Sequence, residues 1–166
     1  MSFEEPGNGV AAAAPVAESA ALGESGYGHR LHIVALGRKR DALKQVLDRI
    51  PEQAVLVLTR TKHGAEKIAR FLDRTGIPCA AIHGHKSAGA RRRAQEGFAG
   101  GALKVLVATD LAARALTFET PPSLVNYDLP HNGEEYLSRL ANAAPGSDVV
   151  SILTQDEAPQ FRELRK

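Results

Sequence analysis

The chain of 166 residues has room for one domain and a tail, and a hydrophobic share of 43% is enough to build a core. Its single cysteine, Cys79, excludes an internal disulfide and any multi-cysteine metal site, and no apolar run approaches the roughly 20 residues that span a bilayer. The net charge of +2 conceals a basic middle, since residues 29–120 hold 17 Lys and Arg against 8 Asp and Glu.

That excess favours a polyanionic partner, although solvated surface cations would account for part of it. Glu4 and Glu5 stand where a signal peptide would be positive, and one cysteine suits a reducing compartment, so a cytoplasmic protein without membrane contact is expected.

Residues 1–28 are Ala, Gly, Ser, Glu and Pro with few large apolar side chains, and they read as a disordered tail. The domain is expected over residues 29–166. Leu31–Leu36 reads as an edge strand with His32 pointing outward. Asp41 then precedes Leu43, Val46, Leu47 and Ile50, the spacing of an amphipathic helix that Pro51 should end. Val55–Leu58 is a buried strand with the polar tip Thr59-Arg60-Thr61, and a helix with Ala65, Ile68, Ala69 and Leu72 on one face runs to Gly76. Cys79–Ile82 is a short strand followed by His83-Gly84. Ser87 is a plausible N-cap for a helix carrying Arg91-Arg92-Arg93 and closing at Phe98.

Val105–Ala108, an uncharged run rich in Val, suits a strand covered on both faces, with Thr109-Asp110 at its carboxyl end, where open α/β sheets place ligands. Leu124–Asn126 is the next strand, and Asn132 with Glu135 caps a helix through Tyr136, Leu137 and Leu140. Val149–Leu153 is the last strand, and Thr154-Gln155-Asp156-Glu157 is a capping box for the C-terminal helix. Strands alternating with helices predict an α/β fold, a parallel sheet with helices on both faces.

In such a sheet the tips Thr59-Arg60-Thr61, His83-Gly84 and Thr109-Asp110 share one edge, next to helix N-termini that favour phosphate. Hydroxyls, main-chain amides and arginines gathered there can track a nucleic-acid backbone. Taken singly, Thr59, Ser87 and Thr109 are as well explained as helix caps. Arg91, Arg92 and Arg93 are spaced about 100° apart on a helix, so at most two can serve one ligand. His83-x-His85 lacks a third ligand at metal spacing and reads as a pair of loop histidines, and Cys79 has no catalytic surroundings. Neither glycine-rich phosphate cradle, G-x-x-x-x-G-K-[ST] or G-x-G-x-x-G, is present.

Three stretches in order, Val55-Leu-Val-Leu-Thr-Arg-Thr-Lys-His-Gly-Ala, Ala81-Ile-His-Gly-His-Lys-Ser and Val105-Leu-Val-Ala-Thr-Asp-Leu-Ala-Ala-Arg, closely resemble the second RecA-like lobe of DEAD-box RNA helicases, the bacterial RhlE-like branch best. The resemblance covers about residues 29–166. It implies a RecA-like parallel sheet whose tips grip one RNA strand by its phosphates. Carried over position by position, it implies RNA-binding roles for Thr59, Arg60, Gly84, Lys86, Arg91, Thr109, Asp110 and Arg114, with no metal.

The chain also departs from that family. Ala88 replaces a Gln, and Arg114-Ala115-Leu116-Thr117 replaces Arg-Gly-Leu-Asp. Where the family reads His-Arg-Ile-Gly-Arg-Thr-Gly-Arg, this chain reads Ser138-Arg139-Leu140-Ala141-Asn142-Ala143-Ala144-Pro145. Arg139 is the residual member of that motif. In the family, arginines at the positions of Asn142 and Pro145 face the transferring phosphate. Such a group is worth about 10³–10⁵ in rate, or roughly 4–7 kcal/mol.

The first lobe, with its phosphate loop, is not among these residues. The expectation is therefore a non-catalytic helicase lobe that binds RNA, with no cofactor of its own and ATP only if a partner lobe supplies the phosphate-binding loop. Two alternatives stand beside it. One is a protein-interaction adaptor docking on a helicase or RNA-processing protein. The other is half of a split or truncated ATP-dependent RNA helicase.

Overall fold

A computed structural model of the chain describes residues 16–18, 28–50, 54–143 and 148–164. Its strands are β1 (Val16–Glu18), β2 (Gly28–Val34), β3 (Val55–Thr59), β4 (Cys79–Ile82), β5 (Val105–Thr109), β6 (Ser123–Asn126) and β7 (Asp148–Thr154). The helices are α1 (Lys39–Asp48), α2 (Lys62–Arg74), α3 (Ala88–Ala99), α4 (Asp110–Arg114), α5 (Gly133–Leu140) and α6 (Ala158–Leu164). The strands form one sheet in the order β1-β2-β7-β6-β3-β5-β4, parallel throughout except for β1. This is the α/β architecture the alternation of strands and helices predicts.

The apolar runs are central because both of their faces are covered. Val55, Val57, Val105 and Val107 pack under α1 and α2, whereas Leu56, Leu58, Leu106 and Ala108 pack under the helices of the other face, α3 to α6. All of β3 and β5 is buried, which an alternating polar strand could not tolerate. The amphipathic face of α2, Ala65, Ile68 and Leu72, closes one layer, and Gly76 follows it at φ 86°, a left-handed conformation that lets the chain turn into β4. Phe161 of α6 meets Tyr136 of α5 edge to face at 6.0 Å on the opposite layer.

Two expectations change. The first strand runs from Gly28 to Val34 and is not at the edge, because Val16–Glu18, within the segment read as a tail, pairs antiparallel with Leu31–Ile33. Nor does His32 face water; it is only 3% exposed, on the side that α1 covers. The uncovered parallel edge belongs to β4. The expected stop at Pro51 lies outside the described residues, and α1 ends at Asp48.

Candidate nucleic-acid interface

Parallel pairing brings the carboxyl tips together as expected. Thr59 and Thr109 are register partners on adjacent strands, and Ile82, which leads into His83-Gly84, is paired with Ala108. A fourth tip, which the sequence reading did not count, is Asn126-Tyr127-Asp128 at the end of β6. Asp128 binds it to the first: its carboxylate accepts the Arg60 main-chain N–H at 3.0 Å.

The hydroxyls divide between two jobs. Thr61 caps α2 by accepting the Gly64 N–H at 2.9 Å, Ser87 caps α3 through the Ala90 N–H at 3.0 Å, and Thr109 caps α4 through the Ala112 N–H at 3.4 Å. Thr59 is no cap, contrary to one reading of the sequence; it is fully buried and its hydroxyl donates to the Thr61 carbonyl at 3.2 Å. Its contribution is to shape the turn that presents Arg60. That arginine is exposed, with one guanidinium nitrogen 3.3 Å from His131 Nδ1.

Gly84 is exposed beneath Lys62, so that a Cβ built there would lie 3.3 Å from Lys62 Cε. Lys62, missed from the sequence, is thus the nearest cation to the glycine turn. Lys86 is less available than expected, since it pairs with Glu66 at 2.6 Å. Glu66 also accepts from His83 Nε2 at 2.8 Å, while His83 Nδ1 accepts the His85 N–H at 3.2 Å, which fixes the tautomer. Hydrogen bonds from Lys86, foremost, and from His83 hold the Glu66 carboxyl below its ordinary value. No group of three or more metal-ligating side chains occurs among the described residues. Arg91 in the first turn of α3 and Arg114 in the last turn of α4 are exposed. Arg92, also exposed, turns away from Arg91 to line a 760 Å³ cavity with Gln95, Phe98 and Phe118, as consecutive helical positions must diverge.

Asp110 and Arg139 depart from their sequence reading. Arg139 is 2% exposed, and its Nε and one terminal nitrogen donate to the two Asp110 oxygens at 2.6 and 2.8 Å. The other terminal nitrogen donates to Asn126 Oδ1 at 3.2 Å and to the Asp128 carbonyl. Asn126 in turn donates to the Ser151 hydroxyl at 3.1 Å. Asp110 therefore spends its carboxylate inside the protein, and Arg139 joins the tips of β5 and β6 to α5. Asn142 donates its main-chain N–H to the Arg139 carbonyl at 3.0 Å; Pro145 lies outside the described residues. Neither offers a guanidinium to a nucleotide.

Helices on both faces of a parallel sheet, with capped helix starts, exposed arginines and a glycine turn along one carboxyl edge, define a RecA-like lobe. The sequence matches the family described as helicase conserved C-terminal domain over residues 38–144, and the chain belongs to that family, as a C-terminal lobe of the DEAD-box RNA helicase type. It is 36% identical over 141 residues to the ATP-dependent RNA helicase DBP2 of Ajellomyces capsulatus, covering 81% of this chain and 26% of that protein. The fold matches a DEAD box protein from Methanococcus jannaschii with a TM-score of 0.74 at 26% identity, over 82% of this chain and 38% of the other. It also matches the E. coli DEAD-box protein SrmB, crystallised bound to RraA, with a TM-score of 0.72 at 24% identity, over 82% and 81% of the two chains. The chain spans about a quarter of the length of the curated relatives it matches, 26% and 25% of two DBP2 proteins.

Proposed function

We propose that this lobe binds single-stranded RNA by its phosphates along the carboxyl edge and does not itself hydrolyse ATP. The observation that carries the reading is the parallel register that sets Thr59-Arg60, Gly84 and Thr109 on one edge, with Arg60, Arg91 and Arg114 exposed around it. Main-chain amides at the starts of α2 and α3, Lys62 over Gly84, and the three arginines supply the donor types that phosphate contacts use. Thr109 and Asp110 act as shape-givers more than as direct ligands, because their side chains are engaged internally. The proposed absence of catalysis rests on α5 and the turn after it: four of the five Arg139 N–H groups are spent in the core, and Asn142 cannot replace a guanidinium. ATP chemistry, were a first lobe to bind nucleotide, would need its second-lobe arginine from elsewhere.

Anisotropy of a labelled single-stranded RNA at several salt concentrations tests this. Affinity should fall with salt at a log–log slope of about −0.7 per phosphate contacted. Arg60→Gln, Arg91→Gln and Arg114→Gln should each flatten that slope by about one unit, without sequence preference. Binding no better than that of an unrelated protein of equal charge contradicts the reading.

A second reading, a protein-docking lobe, is favoured by Leu111 and Leu137, which are 74% and 68% exposed on the adjacent helices α4 and α5. Co-purification after nuclease treatment separates the two, since a docked protein survives loss of RNA.

A further inference from the structure

We propose a second RNA-backbone contact on the outward face of α2, where His63, Lys67, Arg70 and Arg74 form a ladder that takes the phosphates of a strand leaving the carboxyl edge. It rests on the reading of that edge as an RNA site and extends the site to a surface the strand tips do not include.

The four positions follow i, i+4, i+7, i+11 and fall within about 60° of arc, opposite the buried Ala65, Ile68 and Leu72. All four are exposed. Among the described residues Lys67, Arg70 and Arg74 have no ion-pair partner, whereas Lys39, Lys44 and Lys86 are paired with Glu157, Asp48 and Glu66. The carboxylates of α2 lie to one side. Glu66 is held by Lys86 and His83, and Asp73 is near enough to Cys79 to raise its thiol.

This arrangement works against the isolated lobe. The pairs 67–70 and 70–74 set like charge beside like charge, and 63–67 does so whenever His63 is protonated, with only Glu66 and Asp73 on the flank of the row to offset them. The first turn of α2 holds Lys62 and His63 and no acidic residue, the wrong sign for the positive end of a helix dipole. A bound polyanion relieves both penalties. A face kept only for solubility would mix signs.

Position supplies the occupant. The helix starts at Lys62, directly after Thr59-Arg60-Thr61 and against Gly84, so the ladder is continuous with the edge. From there it descends for about 16 Å in rungs about 5–6 Å apart. Arg40 of α1, 5.4 Å from the centre of the Phe71 ring, flanks its lower half. A strand phosphate chain fits a one-dimensional row of cations better than a compact anion would.

The test compares labelled oligouridylates of 6 and 20 nucleotides on the full chain and on K67Q/R70Q/R74Q, with thermal melts to confirm the fold. The variant should bind the 20-mer at least tenfold more weakly, with a salt slope flattened by about two units, and the 6-mer within twofold of the parent. Its melting point should not fall. Unchanged binding of the 20-mer overturns the ladder while leaving the edge intact, and equal loss of both oligomers overturns it as a separate contact. If the parent binds neither RNA, the edge reading falls and the ladder with it. If the variant instead loses binding to phosphatidylserine vesicles and keeps the 20-mer, the ladder is a lipid surface and the proposal is wrong.

Discussion

Arg139 grips Asp110 with two parallel hydrogen bonds of 2.6 and 2.8 Å across 29 residues of sequence, the guanidinium buried and the carboxylate only partly exposed. A bidentate pair of this kind fixes direction as well as distance. Here it holds the start of α4, and so Thr109 beside it, against the β6 tip that supports Arg60. Arg139→Met leaves Asp110 and Asn126 without their donor, and Asp110→Ala leaves a buried guanidinium uncompensated. Each should lower stability by about 3–5 kcal/mol in urea unfolding, and the double variant should lose much less than the sum. Losses under about 1 kcal/mol, the range of exposed ion pairs, would show the pair to be weak.

Gly84→Ala should separate fold from function. The added methyl meets only the end of the flexible Lys62 side chain at 3.3 Å, and no positive φ is involved. Stability should stay within about 0.5 kcal/mol of the parent, while RNA affinity falls several-fold as Lys62 is displaced from the turn. Thermal melts and anisotropy on the same preparation check both halves.

Stability should depend on His32 as pH falls. Burial first, then Arg49 and Arg30, push its pKa below the ordinary 6.5, and Nδ1 has no partner among the described residues. The unfolded chain therefore binds the proton more readily than the folded one. The folded state loses stability as pH drops below 6.5, towards the lowered folded value. His32→Phe should flatten the melting-temperature profile between pH 7 and 5; an identical profile in the variant would remove the assignment.

Cys79 should be chemically quiet. Its thiol donates to the Ala69 carbonyl at 3.2 Å, and burial, with Asp73, pushes its pKa up to about 11. Reaction with a disulfide reagent at pH 8 should be slow in the native protein and fast in urea. Rapid native labelling would mean that β4 opens at the sheet edge.

The parallel core was legible because its signal is local. Val55–Leu58 and Val105–Ala108 are continuous apolar runs, and the caps at Ser87, Thr109 and Asn132 announce helix starts within three residues. What could not be read were relationships the fold creates between distant residues. Arg139, Asp110 and Asn126 each read as separate polar groups, and only the packing of α5 against the tips of β5 and β6 joins them. Thr59 and Thr61 stand two apart at one tip, and which of them caps α2 depends on a turn the sequence does not specify. His32 looked exposed because strand alternation says nothing of the helix that covers a face. The α2 ladder is legible in spacing, but a row of exposed cations carries less local signal than the apolar side of the same helix.

The account stands on phosphates being held at the carboxyl edge. Amide chemical-shift mapping of the labelled protein with a single-stranded hexauridylate tests this most directly. Shifts concentrated at Arg60, Lys62, Gly84, Arg91, Thr109 and Arg114 are the expected result. Shifts confined to Leu111 and Leu137, or scattered over the lysines and arginines of every face, would contradict it.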